Sequence, residues 1–364
     1  MHKTSAWPLA LVYVGLIVYA SLYPFADWRD RGVVPWDFLL APWPQYWTGF
    51  DLMSNALGYA PLGFLLALGA LRSGRGLHAV QHATLAALGL SLLMEMLQVY
   101  LPARVPSNVD LALNGLGAWL GAVAATLLER LGALSRWSRF RARWFVPDAR
   151  GALVLLALWP LALLFPAAVP LGLGQVFERL EAGLADLLQD SPFLEWLPVR
   201  ELELQPLVPG AELACVTLGA LIPCLLGYSV IRDRMRRLVF LVVVLATGVA
   251  ASALSAALSY GPLHAWAWFE LPVQVGYGLA LVLAVLLVGV PARASASLML
   301  LALGVFLSII NQAPTSAYFA QTLQTWEQGR FIRFHGLAQW LGWLWPYAAL
   351  LYVLTRVWRQ NPKN

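Results

Sequence analysis

Residues 238–258 read LVFLVVVLATGVAASALSAAL, an apolar run without a charged side chain. About 20 such residues form a helix that crosses the hydrocarbon core of a bilayer. The chain as a whole is 60% hydrophobic and 12% charged, whereas about 25% of the residues in an ordinary soluble domain are charged. We therefore predict an all-α polytopic membrane protein with about ten transmembrane helices. Their apolar runs cover residues 7–23, 52–71, 79–101, 110–129, 151–171, 211–230, 238–258, 272–290, 296–312 and 338–356.

The basic residues are concentrated in alternate loops. Most of the 24 Lys and Arg residues fall on one side of the membrane when the N-terminus is placed in the cytoplasm, as the positive-inside rule predicts. Ten spans then return the C-terminus to the cytoplasm as well. Because the charge segregates by loop, the net charge of +5 does not indicate a nucleic-acid partner.

Composition divides the chain into three parts. Residues 1–130 hold four predicted spans in one membrane domain, and residues 151–364 hold six more in a second membrane domain. The cytoplasmic connector at 131–150 is rich in Arg and Trp. It is either a helix that lies on the inner leaflet and binds anionic lipid, or an ordinary positive-inside loop with interfacial aromatic residues.

The second and fourth spans begin with the same pattern. Residues 51–58 and 110–117 both read D-L-x-x-N-x-L-G, and both segments are predicted to start at the outer surface and run inward. The first four spans are therefore interpreted as two repeated helical hairpins. Within each pattern the Asp, Asn and Gly share one helix face, and either Asp is a candidate N-cap. The spacing Gly117-x-x-x-Gly121 predicts close approach of another helix, and we expect the two repeat helices to pack together.

Glu95 is an acidic residue inside the third predicted span, with Gln98 on the same face. An acidic group near the centre of a membrane helix costs about 2.5–3.5 kcal/mol, so it is expected to face the bundle interior and have a partner. Arg104, Asn55 and Asn114 are the candidates. The group is either a buried structural ion pair or a functional site.

These polar positions resemble the signature of the VanZ-like family over roughly residues 10–130. The pattern comprises Asp51-x-x-x-Asn55 with Pro61-Leu62-Gly63, Glu95-x-x-Gln98, and Arg104-x-x-Ser107-x-x-Asp110-x-x-x-Asn114-x-x-Gly117-x-x-x-Gly121. The family consists of bacterial membrane proteins, named for a member that confers low-level resistance to the glycopeptide antibiotic teicoplanin. The resemblance implies a role in the cell envelope and a place in the bacterial cytoplasmic (inner) membrane, but it supplies no reaction.

Two groups of residues are candidates for ligand binding. The predicted outer site consists of Asp51, Asn55, Glu95, Gln98, Arg104, Ser107, Asp110 and Asn114. The loop before the last span contributes Arg330, Arg333 and His335 among aromatic residues. This second group could hold a phosphate or carboxylate head group, and an interfacial anchor explains the same residues equally well.

No cofactor or metal is predicted. The sequence has no phosphate-binding glycine loop, nucleophile elbow or zincin motif. His78 and His82 have i, i+4 spacing, which suits a metal, but no acidic or Cys residue stands near them in the sequence.

The leading functional hypothesis is binding or handling of an amphipathic envelope component at the outer leaflet. Membrane lipids are the expected partners, and the component is a lipid head group, a lipid-linked glycan precursor or a glycopeptide antibiotic. Glu95, Asp51 and Asp110 would engage polar or cationic groups, while Arg104 would engage phosphate.

Two alternatives stay open. The first is an intramembrane hydrolase or transferase that acts on a lipid-linked substrate, with Glu95 as the general acid or base and Arg104 stabilising anionic charge. The second is an envelope assembly partner without a small-molecule ligand.

Overall fold

The computed structural model describes residues 6–43 except 24 and 26, residues 49–313 except 75, 165, 166, 168, 194–206 and 261, and residues 332–359. Side chains are not described at 50, 51, 77, 134, 259, 260, 262, 332–337 and 359. The described residues form twelve α-helices, three short 3-10 turns and no strand. The helices are α1 (Ala6–Leu22), α2 (Gly49–Arg72), α3 (Ala79–Gln98), α4 (Asn108–Arg130), α5 (Ala133–Trp144), α6 (Arg150–Ala162), α7 (Phe177–Leu188), α8 (Pro209–Val230), α9 (Arg234–Tyr260), α10 (Leu271–Leu287), α11 (Ala292–Ile310) and α12 (Ile332–Arg359).

Each of the ten predicted apolar runs overlaps one of these helices. Six helices in the described part of the chain, namely α2, α3, α4, α8, α9 and α11, are long and apolar enough to cross a membrane by length and composition. Three more, α1, α6 and α10, are apolar but shorter. The all-α class is therefore confirmed, and the apolar helices support a multi-pass membrane protein.

The run predicted at 151–171 is helical only in its first part. α6 ends at Ala162, and the described backbone from 169 to 176 is not helical although most of it is buried. Pro170 has no N–H group to continue a helix. Leu171 and Gly174 then have positive φ angles of 61° and 90°, which a right-handed helix does not accommodate. Hydropathy cannot reveal this break, because the non-helical residues are themselves apolar.

The chain divides into two compact units, residues 1–140 and 141–364. In the first unit α2 and α4 form the most extensively packed pair, α3 packs against both, and α1 packs against α2 and α3. The hydroxyl of Tyr13 in α1 donates to the carbonyl oxygen of Gly58 in α2 across 2.9 Å. The C-terminal ends of α2 and α4 are joined by an exposed ion pair between Arg72 and Glu129.

α2 and α4 are in direct backbone contact and run in the same direction. A Cβ atom added to Gly117 would lie 2.0 Å from the carbonyl oxygen of Ala56, and one added to Gly121 would lie 1.9 Å from that of Ala60. The pairing advances by four residues on both helices, which makes them parallel. The close approach predicted from the glycine spacing is confirmed, and its partner is the other repeat helix.

In the second unit, α8 is the most buried of the apolar helices of spanning length. Near its end, buried Arg237 at the start of α9 donates hydrogen bonds to backbone carbonyl groups that the ends of α8 and α10 leave without helical donors. The acceptors are Tyr228, Ile231, Val288 and Val290. Arg237 therefore holds the ends of α8, α9 and α10 together.

The buried non-helical segment before α7 obtains its hydrogen bonds from Asn311. The Asn311 Oδ1 atom accepts from the backbone N–H groups of Val176 and Phe177 at 3.0 and 3.1 Å. Its Nδ2 atom donates to the carbonyl oxygen of Gly174, which also accepts from the hydroxyl of Tyr347. Irregular backbone is tolerated away from water only when protein groups satisfy it in this way.

Candidate functional site

Glu95 lies in the last turn of α3 and is 4% exposed. Its Oε2 atom accepts a 2.9 Å hydrogen bond from the backbone N–H of Ser107. Ser107 is the N-cap of α4, and its side chain accepts from the backbone N–H of Asp110. The carboxylate of Glu95 therefore lies at the N-terminal end of α4, where the helix dipole favours negative charge.

The N-cap of α4 differs from the candidate that the sequence suggested. Asp110 is the third residue of the helix, because Ser107 takes the capping position. In a capping box the third residue accepts from the backbone N–H of the cap. Here the structure shows Glu95 of the preceding helix accepting from that group. The main chain of Ser107 was not among the partners predicted for Glu95.

A polar layer lies one helical turn before Glu95 and is formed by Tyr59, Ser91 and Asn114. The Nδ2 atom of Asn114 on α4 donates to the hydroxyl oxygen of Ser91 on α3 across 2.9 Å. Tyr59 on α2 lies close to the same Ser91 side chain and within electrostatic reach of Glu95. The side chains of this layer, Tyr59, Ser91 and Asn114, are buried, as is that of Glu95. Three helices, α2, α3 and α4, therefore contribute to one buried polar group.

The second polar atom of Asn114 has a different environment. Its Oδ1 atom is buried and has no hydrogen-bond partner among the described residues. An unsatisfied buried acceptor costs about 1–3 kcal/mol, so native interiors rarely contain one. In the described part of the first unit, the Oδ1 atom of Asn114 and the Oγ1 atom of Thr84 are the buried side-chain polar atoms without a hydrogen-bond partner.

Tyr59 and Ser91 were not predicted as site residues. The available signal for Ser91 is its position four residues before Glu95, which places both on one face of α3. Tyr59 carries no such signal, because its place depends on how α2 packs against α3 and α4.

Arg104 and Gln98 fasten α1 to the turn between α3 and α4. Arg104, which is 9% exposed, donates from Nε and Nη2 to the carbonyl oxygen of Tyr23 at 3.2 and 2.5 Å, and from Nη2 to that of Ala20 at 3.2 Å. Gln98 donates to the carbonyl oxygen of Ser21 across 2.9 Å. The final carbonyls of a helix lack intrahelical donors, and a cation there is favoured by the helix dipole. These contacts give Arg104 a structural role.

The other predicted site residues belong to α2 or to the segment predicted before the last span. Asn55 is half-buried on α2, and Asp51 lies in the first turn of that helix with its side chain outside the described residues. Arg330 lies outside the described residues altogether. Arg333 and His335 belong to the start of α12, where side chains are not described. The second group of candidates therefore stays a prediction.

No group of three or more His, Cys, Asp or Glu side chains in the described part of the chain is placed to hold a metal ion. The rings of His78 and His82 lie 6.0 Å apart between centroids, at the start of α3.

Comparison with known proteins gives one match. Residues 7–129 match the family model described as VanZ/LLP1, which confirms the predicted resemblance for this segment. The match covers α1 to α4, contains all the predicted residues of the outer site, and does not extend into the second unit. No curated protein and no solved structure matches the chain.

Proposed function

We propose that the VanZ-like segment, residues 7–129, binds the polar head group of an amphipathic envelope component in the bacterial cytoplasmic membrane. The family match and the buried polar layer on three apolar helices support this proposal. The component is a lipid, a lipid-linked glycan precursor or a glycopeptide antibiotic. In the proposed topology, ten spans leave both termini in the cytoplasm, and Glu95 lies near the outer leaflet.

The proposed domain organisation follows from the same topology. A four-helix membrane domain at 1–130 is joined by the cytoplasmic connector at 131–150 to a six-helix membrane domain at 151–364. The boundary between the two compact units falls within the connector, which supports the division.

The observation that carries the proposed binding function is the unpartnered Oδ1 atom of Asn114. Polar groups in membrane helices are costly and are associated with function. The other polar atom of Asn114 is held by Ser91, so the side chain is fixed with one acceptor available. A donor on a bound head group would satisfy that acceptor and recover part of its desolvation cost.

Native mass spectrometry of the detergent-purified full chain tests the proposal. We expect a co-purifying amphipathic molecule, and we expect Asn114→Leu to reduce the bound fraction by about tenfold, since loss of one buried hydrogen bond is worth about 1–2 kcal/mol.

Thr84→Val provides a matched control. The Thr84 Oγ1 atom is also buried without a partner among the described residues. Thr84 lies in α3, the helix of Glu95, but it is eleven positions from Glu95 in the sequence. Its replacement should leave binding unchanged. A wild-type spectrum without any bound molecule, or equal loss in both variants, would refute the proposed site.

A further inference from the structure

We propose that a basic surface of the second unit binds the head group of an anionic phospholipid. This basic surface is formed by residues 141–150 and by residues 231–236, which cover the turn between α8 and α9 and the first residues of α9. It lies outside the segment that matches the VanZ/LLP1 family, so the inference goes beyond the proposed function.

The two segments of the basic surface are held together through their main chains. The backbone N–H of Val146 donates to the carbonyl oxygen of Val230 across 2.9 Å, and an antiparallel bridge pairs Phe145 with Ile231. Two stretches that are far apart in the sequence therefore lie side by side, and the arginines of both contribute to one surface.

Arg236 connects the same segments through its side chain. Its guanidinium donates to the carbonyl oxygen of Arg143 and lies 5.9 Å from the centroid of the Trp144 ring, within the range of a cation–π contact. The backbone N–H of Arg232 donates to the carbonyl oxygen of Trp144. Arg143 and Arg232 are therefore neighbours of the same tryptophan, and both are exposed.

Positive charge predominates on the basic surface. Its two acidic residues have partners within the protein: the carboxylate of Asp233 accepts from the backbone N–H of Arg236, and Asp148 pairs with the buried guanidinium of Arg356. Such a surface attracts anions, and the planar guanidinium group suits phosphate. The exposed or partly exposed arginines are Arg141, Arg143, Arg150, Arg232, Arg234 and Arg236.

The basic surface lies at the ends of apolar helices. α8 ends and α9 begins there, and both are long and apolar enough to cross a membrane. One face of α9 exposes Met235, Val239 and Val242, which recur at helical spacing. A phospholipid can cover this apolar face with its acyl chains while its phosphate contacts the arginines, whereas a soluble polyanion would leave the face in water. Basic pockets at the ends of membrane helices bind anionic head groups in this way.

The positive-inside rule gives a second explanation for arginines at this end of the helices. That rule concerns the charge of a loop during membrane insertion and requires no preference for one lipid in the folded protein. A lipid preference that depends on Arg143 and Arg232 therefore separates head-group binding from an effect on orientation alone.

Titration of the full-length protein with phosphatidylglycerol and phosphatidylcholine of matched acyl chains, read by native mass spectrometry, tests the proposal. We expect phosphatidylglycerol to bind at least about tenfold more tightly, and the double variant Arg143→Gln/Arg232→Gln to reduce this preference by about tenfold. Arg143→Lys/Arg232→Lys keeps the charge and should retain most of it.

Arg29→Gln/Arg31→Gln is the matched control, because it removes the same charge from exposed positions in the first unit and should leave the preference unchanged. Equal affinity of the wild-type protein for the two lipids overturns the proposal. A preference that the Arg143→Gln/Arg232→Gln variant retains, or that the control loses to the same extent, overturns the assigned surface. Thermal unfolding in the same detergent verifies that each variant is folded.

Hydrogen exchange of the full-length protein in nanodiscs locates the bound lipid. We expect the amides of residues 141–150 and 231–236 to exchange more slowly in phosphatidylglycerol than in phosphatidylcholine, because a bound head group makes local opening less frequent. The difference should disappear in the Arg143→Gln/Arg232→Gln variant. Equal exchange of both segments in the two lipids would contradict binding at this surface.

Discussion

The carboxylate of Glu95 accepts a hydrogen bond from the backbone N–H of Ser107, which ties the last turn of α3 to the cap of α4. We expect Glu95→Ala to lower the free energy of unfolding by about 1–3 kcal/mol, because it leaves a buried N–H group without that acceptor. Glu95→Gln retains an oxygen at the same position and should lose much less. Equilibrium unfolding in detergent measures both changes.

Glu129→Ala is the control for the Glu95 variants. Glu129 is an acidic residue of the same unit, but its ion pair with Arg72 is solvent-accessible, and exposed ion pairs contribute less than about 1 kcal/mol. Equal unfolding free energies for Glu95→Ala and the wild-type protein would show that the bond to Ser107 does not stabilise the cap.

The glycines of the two repeat patterns provide a second prediction. Gly117→Ala should strongly destabilise the first unit, because its Cβ atom would lie 2.0 Å from the carbonyl oxygen of Ala56 and the two backbones would have to separate. Gly58 has the corresponding position in the repeat, yet a Cβ atom there meets nothing within 4 Å. Gly58→Ala should therefore be neutral or stabilise by up to about 1 kcal/mol through helix propensity.

Thermal unfolding of the two alanine variants tests this difference. The expected result is a clearly lower melting temperature for Gly117→Ala alone. Similar melting temperatures for Gly117→Ala and Gly58→Ala would contradict the close packing of α2 and α4 at Gly117.

The contrast between these glycines shows how far a sequence pattern predicts the fold. Gly117-x-x-x-Gly121 is a local property of one helix, and it correctly predicts close packing. The repeat suggests that Gly58 and Gly117 are equivalent, but their contacts differ because each helix has different neighbours. Apolar length likewise predicts the positions of the helices but not the non-helical backbone at 169–176, where Pro170 and the positive φ angles of Leu171 and Gly174 are incompatible with a helix.

The candidate site is predictable in its residues more than in its contacts. An acidic residue within an apolar run identifies Glu95 without any structure, since such a group must be buried with partners. Its bond to the main chain of Ser107 has no side-chain signature in the sequence. The contribution of Tyr59 depends on the packing of three helices, which local periodicity does not contain.

Arg104 leads to a third prediction. Arg104→Ala removes charge-assisted hydrogen bonds from the C-terminal end of α1, each worth about 1.5–3 kcal/mol. We expect the amides of residues 19–23 to exchange hydrogen about tenfold faster or more, because the last turn of α1 opens more often. Arg104→Lys keeps the charge but lacks the planar fork and should restore only part of the protection.

Hydrogen exchange measured by mass spectrometry on peptides from α1 tests this role. Arg130→Ala serves as the control, because Arg130 is exposed in the last turn of α4. Unchanged exchange at residues 19–23 in Arg104→Ala would refute the anchoring role and would leave the guanidinium as a candidate phosphate ligand.

Asn311 provides the last prediction, which concerns the second unit. Asn311→Leu keeps the branched shape and the number of side-chain heavy atoms but leaves the N–H groups of Val176 and Phe177 without the acceptor that the structure shows. We expect a loss of about 1–3 kcal/mol in the free energy of unfolding, since the two N–H groups are only partly buried and a fully buried unpaired donor costs about 1–3 kcal/mol. Asn311→Asp keeps both acceptor contacts at the start of α7, where negative charge is favoured, and should lose less. Gln312→Leu, at the exposed neighbouring position, is the control, and equal unfolding free energies for the Asn311→Leu and Gln312→Leu variants would show that Asn311 does not hold the non-helical segment.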